Sequence, residues 1–274
     1  IDCGNTRTNL AWIELDPYPQ LESTGGGLDP ARVQAVSVEA SSTPAEFDAA
    51  WRAKIRPAQP APGSITDVVV ASVNPGSLDA VESWAAVGLD GALAKRPVRV
   101  IGDDLPVPIE NRTRVPRQVG TDRLLNALAV RHRYRGRSGI VVDLGTAITF
   151  DVISADGAYL GGVITPGIWT SLRAMHERTA RLPLIEPPES APPAIGLDTV
   201  SAMVSGVYYG FPGAVANILR ALREELPAEP PPVLLATGGD APWLRDELPD
   251  AFDAVVPLLT LEGIWLTWQL RDES

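Results

Sequence analysis

The chain has 274 residues, 45% of them hydrophobic, and a formal net charge of −11. That length supports two modest domains, each with its own core, and the acidic balance argues against a nucleic-acid surface, which needs a basic face. No apolar run approaches the roughly 18 residues of a membrane span, and a single cysteine, Cys3, excludes an intramolecular disulfide and points to a reducing, cytoplasmic setting.

The chain opens at Ile1 without a Met, so its first strand reads as clipped, with a few residues expected upstream. The phrase Asp2-Cys3-Gly4-Asn5-Thr6-Arg7-Thr8 follows, and Asn9–Leu15 reads as the second arm of a hairpin. Asp16–Pro30 is rich in Gly, Pro and Ser and reads as an exposed loop. Val33–Val38 alternates as a strand does, and Pro44–Ile55 has helical spacing at Phe47, Trp51 and Ile55. A Pro/Ala spacer at Pro57–Gly63 leads to Asp67–Val73, a nearly continuous β-branched run expected of a strand covered on both faces. A further helix and a short strand at Pro97–Ile101 complete the first half.

Asp103–Gly120 contains Pro106, Pro108 and Pro116 and no clear period, and is the expected crossing between domains. Thr121–Arg133 is a strong helix, with Thr121 as its cap and Leu124, Leu125, Leu128 and Ala129 as its apolar stripe. Ile140–Asp143, Ala147–Ile153 and Tyr159–Ile164 form a three-stranded meander with a turn at Ala155-Asp156-Gly157. Ile168–Arg181 is a helix, Glu186–Ala194 an exposed Pro-rich stretch, and Thr199–Leu226 a helix expected to break at Gly210-Phe211-Pro212-Gly213. Val233–Thr237 is a buried strand that turns at Thr237-Gly238-Gly239-Asp240-Ala241 into a helix, and Leu261–Leu270 is an apolar terminal helix.

The opening phrase returns as Asp143-Leu144-Gly145-Thr146-Ala147-Ile148-Thr149. In both copies Asp-x-Gly-x-x-x-Thr sits between two apolar runs. A strand ending in a carboxylate can face a cation on phosphate, a Gly lets backbone amides approach, and hydroxyl residues line the turn. An Asp that merely caps its own turn is the alternative for either copy alone; the repetition favours a duplicated nucleotide-binding domain. The expected fold is α/β, with two related lobes and the ligand between them.

Gly120-Thr121-Asp122-Arg123 opens the strong helix. An acid in a first turn is favoured by the helix dipole alone. The functional alternative is that Asp122 accepts the proton of a hydroxyl attacking a γ-phosphate, with Arg123 holding an anionic group of the same substrate. Other chemistries are poorly supported. Only Lys54 and Lys95 exist and neither follows a Gly-x-x-x-x-Gly run, which excludes a P-loop kinase. Only His132 and His176 exist, both read as solvated or structural, and a zinc site or a Ser-His-Asp triad lacks its residues. Cys3 reads as a small strand-end residue rather than a nucleophile.

These residues resemble the type III pantothenate kinases, of the acetate kinase/sugar kinase/Hsp70/actin superfamily. Asp2–Asn9 is similar to the first phosphate motif, Gly120–Arg123 to the pantothenate motif and Asp143–Thr149 to the second phosphate motif, continued by Tyr159–Gly167. Arg178–Pro183 and Gly196–Met203 are similar to further family segments, and Thr237–Ala241 to the adenosine motif.

The resemblance implies two actin-like, ribonuclease H-like lobes, at residues 1–115 and 116–274, with a cleft between them. It implies ATP-dependent phosphorylation of pantothenate, the first step towards coenzyme A, with Mg²⁺ and a monovalent cation, K⁺ or NH₄⁺. Asp122 is then the general base. Thr113, Gly120, Thr121, Asp122, Arg123 and Thr199 contact pantothenate, Thr199 across a homodimer interface. Asp2, Cys3, Gly4, Asn5, Thr6, Arg7, Thr8, Asn9 and Thr146 contact ATP, and Asp143 holds the monovalent cation. No nucleic acid or membrane partner is expected. The family often has Tyr where Thr113 stands, and Gly where Ala11 ends the first phosphate motif; Asp16–Pro30 is an unusual insertion. Another small-molecule kinase of the superfamily, or an accessory protein without turnover, are the alternatives.

Overall fold

The computed structural model describes residues 1–3, 7–13, 33–39, 43–54, 67–87 and 98–272. Gly4, Asn5 and Thr6, the 16–30 insertion and the 57–63 spacer lie outside them. Of Cys3, Arg7 and Thr8 only the backbone is described. The chain forms two compact units, Ile1–Arg135 with Leu258–Ser274, and Gly136–Pro257.

The first unit holds β1 (Asp2–Cys3), β2 (Arg7–Ile13), β3 (Val33–Glu39), α1 (Pro44–Lys54), β4 (Val68–Ser72), α2 (Pro75–Val87), β5 (Val98–Val100) and α3 (Thr121–Arg133). Its strands are ordered β3-β2-β1-β4-β5. β1 pairs antiparallel with β2 and parallel with β4. The period-two alternation of β4 divides its side chains between two cores. Val68 and Val70 pack with Phe47, Trp51, Val81 and Trp84 of α1 and α2. Ala71, with Val69 against it, packs with Ile101, Leu105, Leu125, Leu261 and Ile264. The expectation of a strand covered on both faces therefore holds for β4.

The second unit holds β6 (Gly139–Leu144), β7 (Ala147–Ile153), β8 (Tyr159–Pro166), α4 (Ile168–Arg178), α5 (Thr199–Glu224), β9 (Val233–Thr237), α6 (Ala241–Glu247) and β10 (Ala254–Val255). Its order, β8-β7-β6-β9-β10, repeats that of the first sheet strand for strand. β6, like β1, is central, antiparallel to the hairpin partner that follows it and parallel to the strand that follows the intervening helices. Ile140, Val142, Leu144, Ile148, Phe150 and Leu234 form one face of this sheet and pack on Val215 and Leu219 of α5 and Leu244 of α6.

Four expectations change. The 103–120 stretch, expected to cross between domains, lies inside the first unit, anchored through Ile101 and Leu105. The terminal helix α7 (Leu259–Gln269) belongs to that unit as well, because Leu261 and Ile264 share a core with Leu125 of α3. α3 has no single apolar stripe: Leu125 to Val130 are all buried, and Leu124 is only half-buried. α5 runs unbroken through buried Pro212, since its N-terminal half packs Met203 and Val207 against α4 while its C-terminal half packs Val215 and Leu219 on the sheet. Among the described residues no helix is long and apolar enough to cross a membrane.

Candidate active site

In the first unit the chemistry gathers where β1 ends and α3 begins. Asp2 is half-buried, and the Nδ2 amide of Asn9, directly opposite on β2, donates to its Oδ2 at 3.0 Å. Burial raises the Asp2 carboxyl above its ordinary value; the Asn9 donor opposes that shift and the charge of Asp122 adds to it. Asp2 and Asp122, far apart in sequence, are therefore brought within electrostatic reach.

Asp122 is the second residue of α3. Thr121 does not cap the helix. The cap position is Gly120, which has no side chain to give. A Cβ on Gly120 would stand 2.5 Å from Asp122 Oδ1, so glycine is what lets the carboxylate fold back to accept from the Arg123 N–H at 2.9 Å. Burial is the largest cause raising the Asp122 carboxyl, opposed by that N–H and by the Arg123 guanidinium. Thr113 sits earlier, in a polar turn where its hydroxyl donates to Asn111 Oδ1 at 2.7 Å.

In the second unit Asp143 lies in β6 between Thr149 of β7 and Thr237 of β9. The Gly145–Thr146 turn after it is exposed and rests on the start of α4. Gly167 N–H donates to the Thr146 carbonyl at 3.0 Å, the Thr170 hydroxyl donates to it at 2.5 Å, and a Cβ on Gly167 would stand 2.1 Å from the Gly145 carbonyl oxygen. Gly238 has φ +91°, and a Cβ there would meet Leu144 O at 2.4 Å and Asp143 Oδ1 at 2.7 Å. The β6 and β9 turns are thus locked together at the carboxyl ends of adjacent parallel strands, the edge where open α/β sheets hold ligands.

Two residues that the sequence reading placed within longer motifs, without a role of their own, belong to this cluster. Gly167 carries the turn through its missing side chain. Asp240 heads α6 without capping it, and its carboxyl is raised by burial; the Thr-Gly-Gly-Asp-Ala phrase was the signal available for it. Thr199 is apart from these groups in the secondary structure, at the exposed first turn of α5, beside the Asp198 capping box. His132 is buried and His176 is exposed, its Nδ1 2.8 Å from the Leu182 carbonyl oxygen.

The donor chemistry fits the expected cations. Among the described residues no three His, Cys, Asp or Glu side chains gather as a metal cage. Mg²⁺ on a nucleotide needs only one or two carboxylates beside phosphate and water, and Asp2 at the end of β1 supplies one. The Asp143 carboxylate is a hard oxygen ligand of the kind a monovalent cation takes.

The sequence model of the type III pantothenate kinases matches residues 1–221. A type III pantothenate kinase of Cereibacter sphaeroides is 45% identical over 178 residues, 65% of this chain and 67% of its own. One of Dehalococcoides mccartyi is 44% identical over 172 residues, 63% of this chain and 65% of its own. The chain thus spans about two thirds of the length of the curated relatives it matches. Among solved structures, a Campylobacter jejuni protein named for the Baf family of transcriptional activators superposes with TM-score 0.50 at 16% identity, covering 88% of this chain and 95% of its own. The activator of 2-hydroxyisocaproyl-CoA dehydratase from Clostridium difficile, solved with ADPNP, gives TM-score 0.50 at 11% identity, covering 100% and 96%. These two share the fold. With the family's sequence model covering most of its length, the chain belongs to the type III pantothenate kinases, the enzymes that use ATP to phosphorylate pantothenate on the way to coenzyme A.

Proposed function

We propose that this chain transfers the γ-phosphoryl group of ATP to the primary hydroxyl of pantothenate, giving 4'-phosphopantothenate. The observation that carries the reading is Asp122: a carboxylate raised by burial, folded back over a glycine, beside Arg123 and within electrostatic reach of Asp2. Phosphoryl transfer asks mainly for positioning and charge stabilisation. Asp122 takes the proton of the attacking hydroxyl. The Arg123 guanidinium pairs with the pantothenate carboxylate, and Gly120, Thr121, Thr113 and Thr199 complete the substrate contacts. On the nucleotide side, backbone and hydroxyl groups of residues 2–9 and Thr146 receive the phosphate oxygens. Asp143 would hold K⁺ or NH₄⁺, and Asp2 would hold Mg²⁺, which would supply positive charge beside the phosphates. The repeated sheet supports two ATPase-like halves.

The working unit in this reading is a cytoplasmic homodimer with no nucleic-acid or membrane partner. Exposed apolar side chains on the second unit, Ile195 at 79% and Leu197 at 92%, with Val200 and Tyr209 nearby in sequence, support a protein partner surface.

A coupled ADP-release assay with ATP, Mg²⁺ and K⁺ tests the reading. Turnover of pantothenate that falls when K⁺ is replaced by Na⁺ supports it; nucleotide binding with no pantothenate turnover rejects it. Thr113 favours a second reading, a relaxed small-molecule kinase, because its short side chain stands where the family often has Tyr. Other hydroxy acids in the same assay separate the two.

A further inference from the structure

The two copies of Asp-x-Gly-x-x-x-Thr are alike in sequence and unlike in register. Asp143 faces Thr149 across its hairpin, whereas Asp2 faces Asn9 and Thr8 falls opposite Cys3. The first hairpin is therefore one residue longer between its paired positions, and the threonines that align in sequence are not equivalent in the sheet. The slip places a different side chain against each carboxylate. Asn9 donates its amide to Asp2 Oδ2 at 3.0 Å. Thr149 instead donates its hydroxyl to Asp151 Oδ2 at 3.3 Å, and buried Asp151 also receives the Tyr159 hydroxyl at 3.0 Å.

A neutral amide is a useful neighbour for a carboxylate that must meet a cation. It fixes the rotamer through one oxygen and brings no positive charge to compete with the ion. The bond engages Oδ2, and among the described residues no donor is placed on the second oxygen. We propose that Asn9 is a positioning residue that pins Asp2 Oδ2 and reserves Oδ1 for the divalent cation on the nucleotide phosphates. Asn9 then acts through Asp2 and does not itself touch the nucleotide. This rests on the kinase reading above and, for Asn9, replaces the direct nucleotide contact given there.

The test is binding of ADP to the full chain by calorimetry, with Mg²⁺ and with EDTA in its place. Asn9→Ala should weaken Mg²⁺-dependent ADP binding by about 10- to 100-fold, the usual cost of losing a hydrogen-bonded support behind a metal ligand, while binding in EDTA stays within about two-fold. Asn9→Thr, which returns a hydroxyl donor at the same position, should recover part of the loss and guards against a misfolded alanine variant. Equal weakening with and without Mg²⁺ would show that Asn9 contacts the nucleotide directly and would overturn the proposal. Unchanged binding in both conditions would overturn it too. If the unaltered protein binds no ADP under either condition, the kinase reading itself fails, a result distinct from both.

Discussion

Asp122 combines one residue's electrostatics with the proposed chemistry. Asp122→Asn preserves shape and can still accept from the Arg123 N–H, but it cannot take a proton. We expect kcat to fall about 10²- to 10⁴-fold, with ATP affinity within about two-fold, measured by ADP release and calorimetry. Burial raises the Asp122 carboxyl above its reference value of 3.8. Over the interval from that reference to the folded value the group is protonated in the folded chain and cannot act as a base. The rate kcat/KM should therefore rise as pH increases through this interval. Asp2 is raised as well and senses Asp122, so the profile reports the pair. The stability sign is opposite. A raised acid favours folding below its unfolded value, and that contribution is lost as pH rises through the folded value. At neutral pH, Asp122→Asn should thus raise Tm while lowering kcat, the trade expected of an acid kept charged for function. A lower Tm would contradict the burial argument even if activity were lost.

At the scale of elements, the proposed catalytic helix is held by the far end of the chain. α7 approaches α3 closely at Gly263, where a Cβ would stand 2.3 Å from the Leu125 carbonyl oxygen. Thr260 donates to Asn126 Oδ1 at 2.9 Å, and Arg133 forks onto Glu262, 1% exposed, at 2.6 to 2.9 Å. Gly263→Ala should cost about 1–3 kcal/mol in denaturant unfolding, the usual range for an overpacked contact, because backbone rather than a flexible side chain must move. Glu262→Ala should cost about 3 kcal/mol, slightly softened by the partial exposure of Arg133, since it leaves that charge without its carboxylate. Local sequence identified α3 and α7 as helices. Their mutual burial was not legible, because contacts between residues more than a hundred positions apart leave no local period.

For the whole molecule, the repeated phrase and the repeated strand order agree on duplication. The family match supports the proposed reaction, and the exposed apolar residues of the second unit bear on the proposed assembly. Leu197→Asp and Ile195→Asp should each shift the protein towards monomer in sedimentation at low micromolar concentration. If the chain sediments as one species regardless of these changes, that surface does not make the dimer. The net charge of −11 should keep either species soluble.

The sequence alone determined the α/β elements, the two carboxylate-glycine phrases and the Gly120–Arg123 motif, because alternation, helical period and turn residues are local properties. The tertiary structure decided what local pattern cannot encode. It placed the 103–120 stretch and α7 in the first unit and kept α5 helical through Pro212 by packing on both halves. It also set Asn9 rather than Thr8 against Asp2. Strand register depends on how many residues the connecting loop spends, and that number is fixed only when both strands are seated in the sheet.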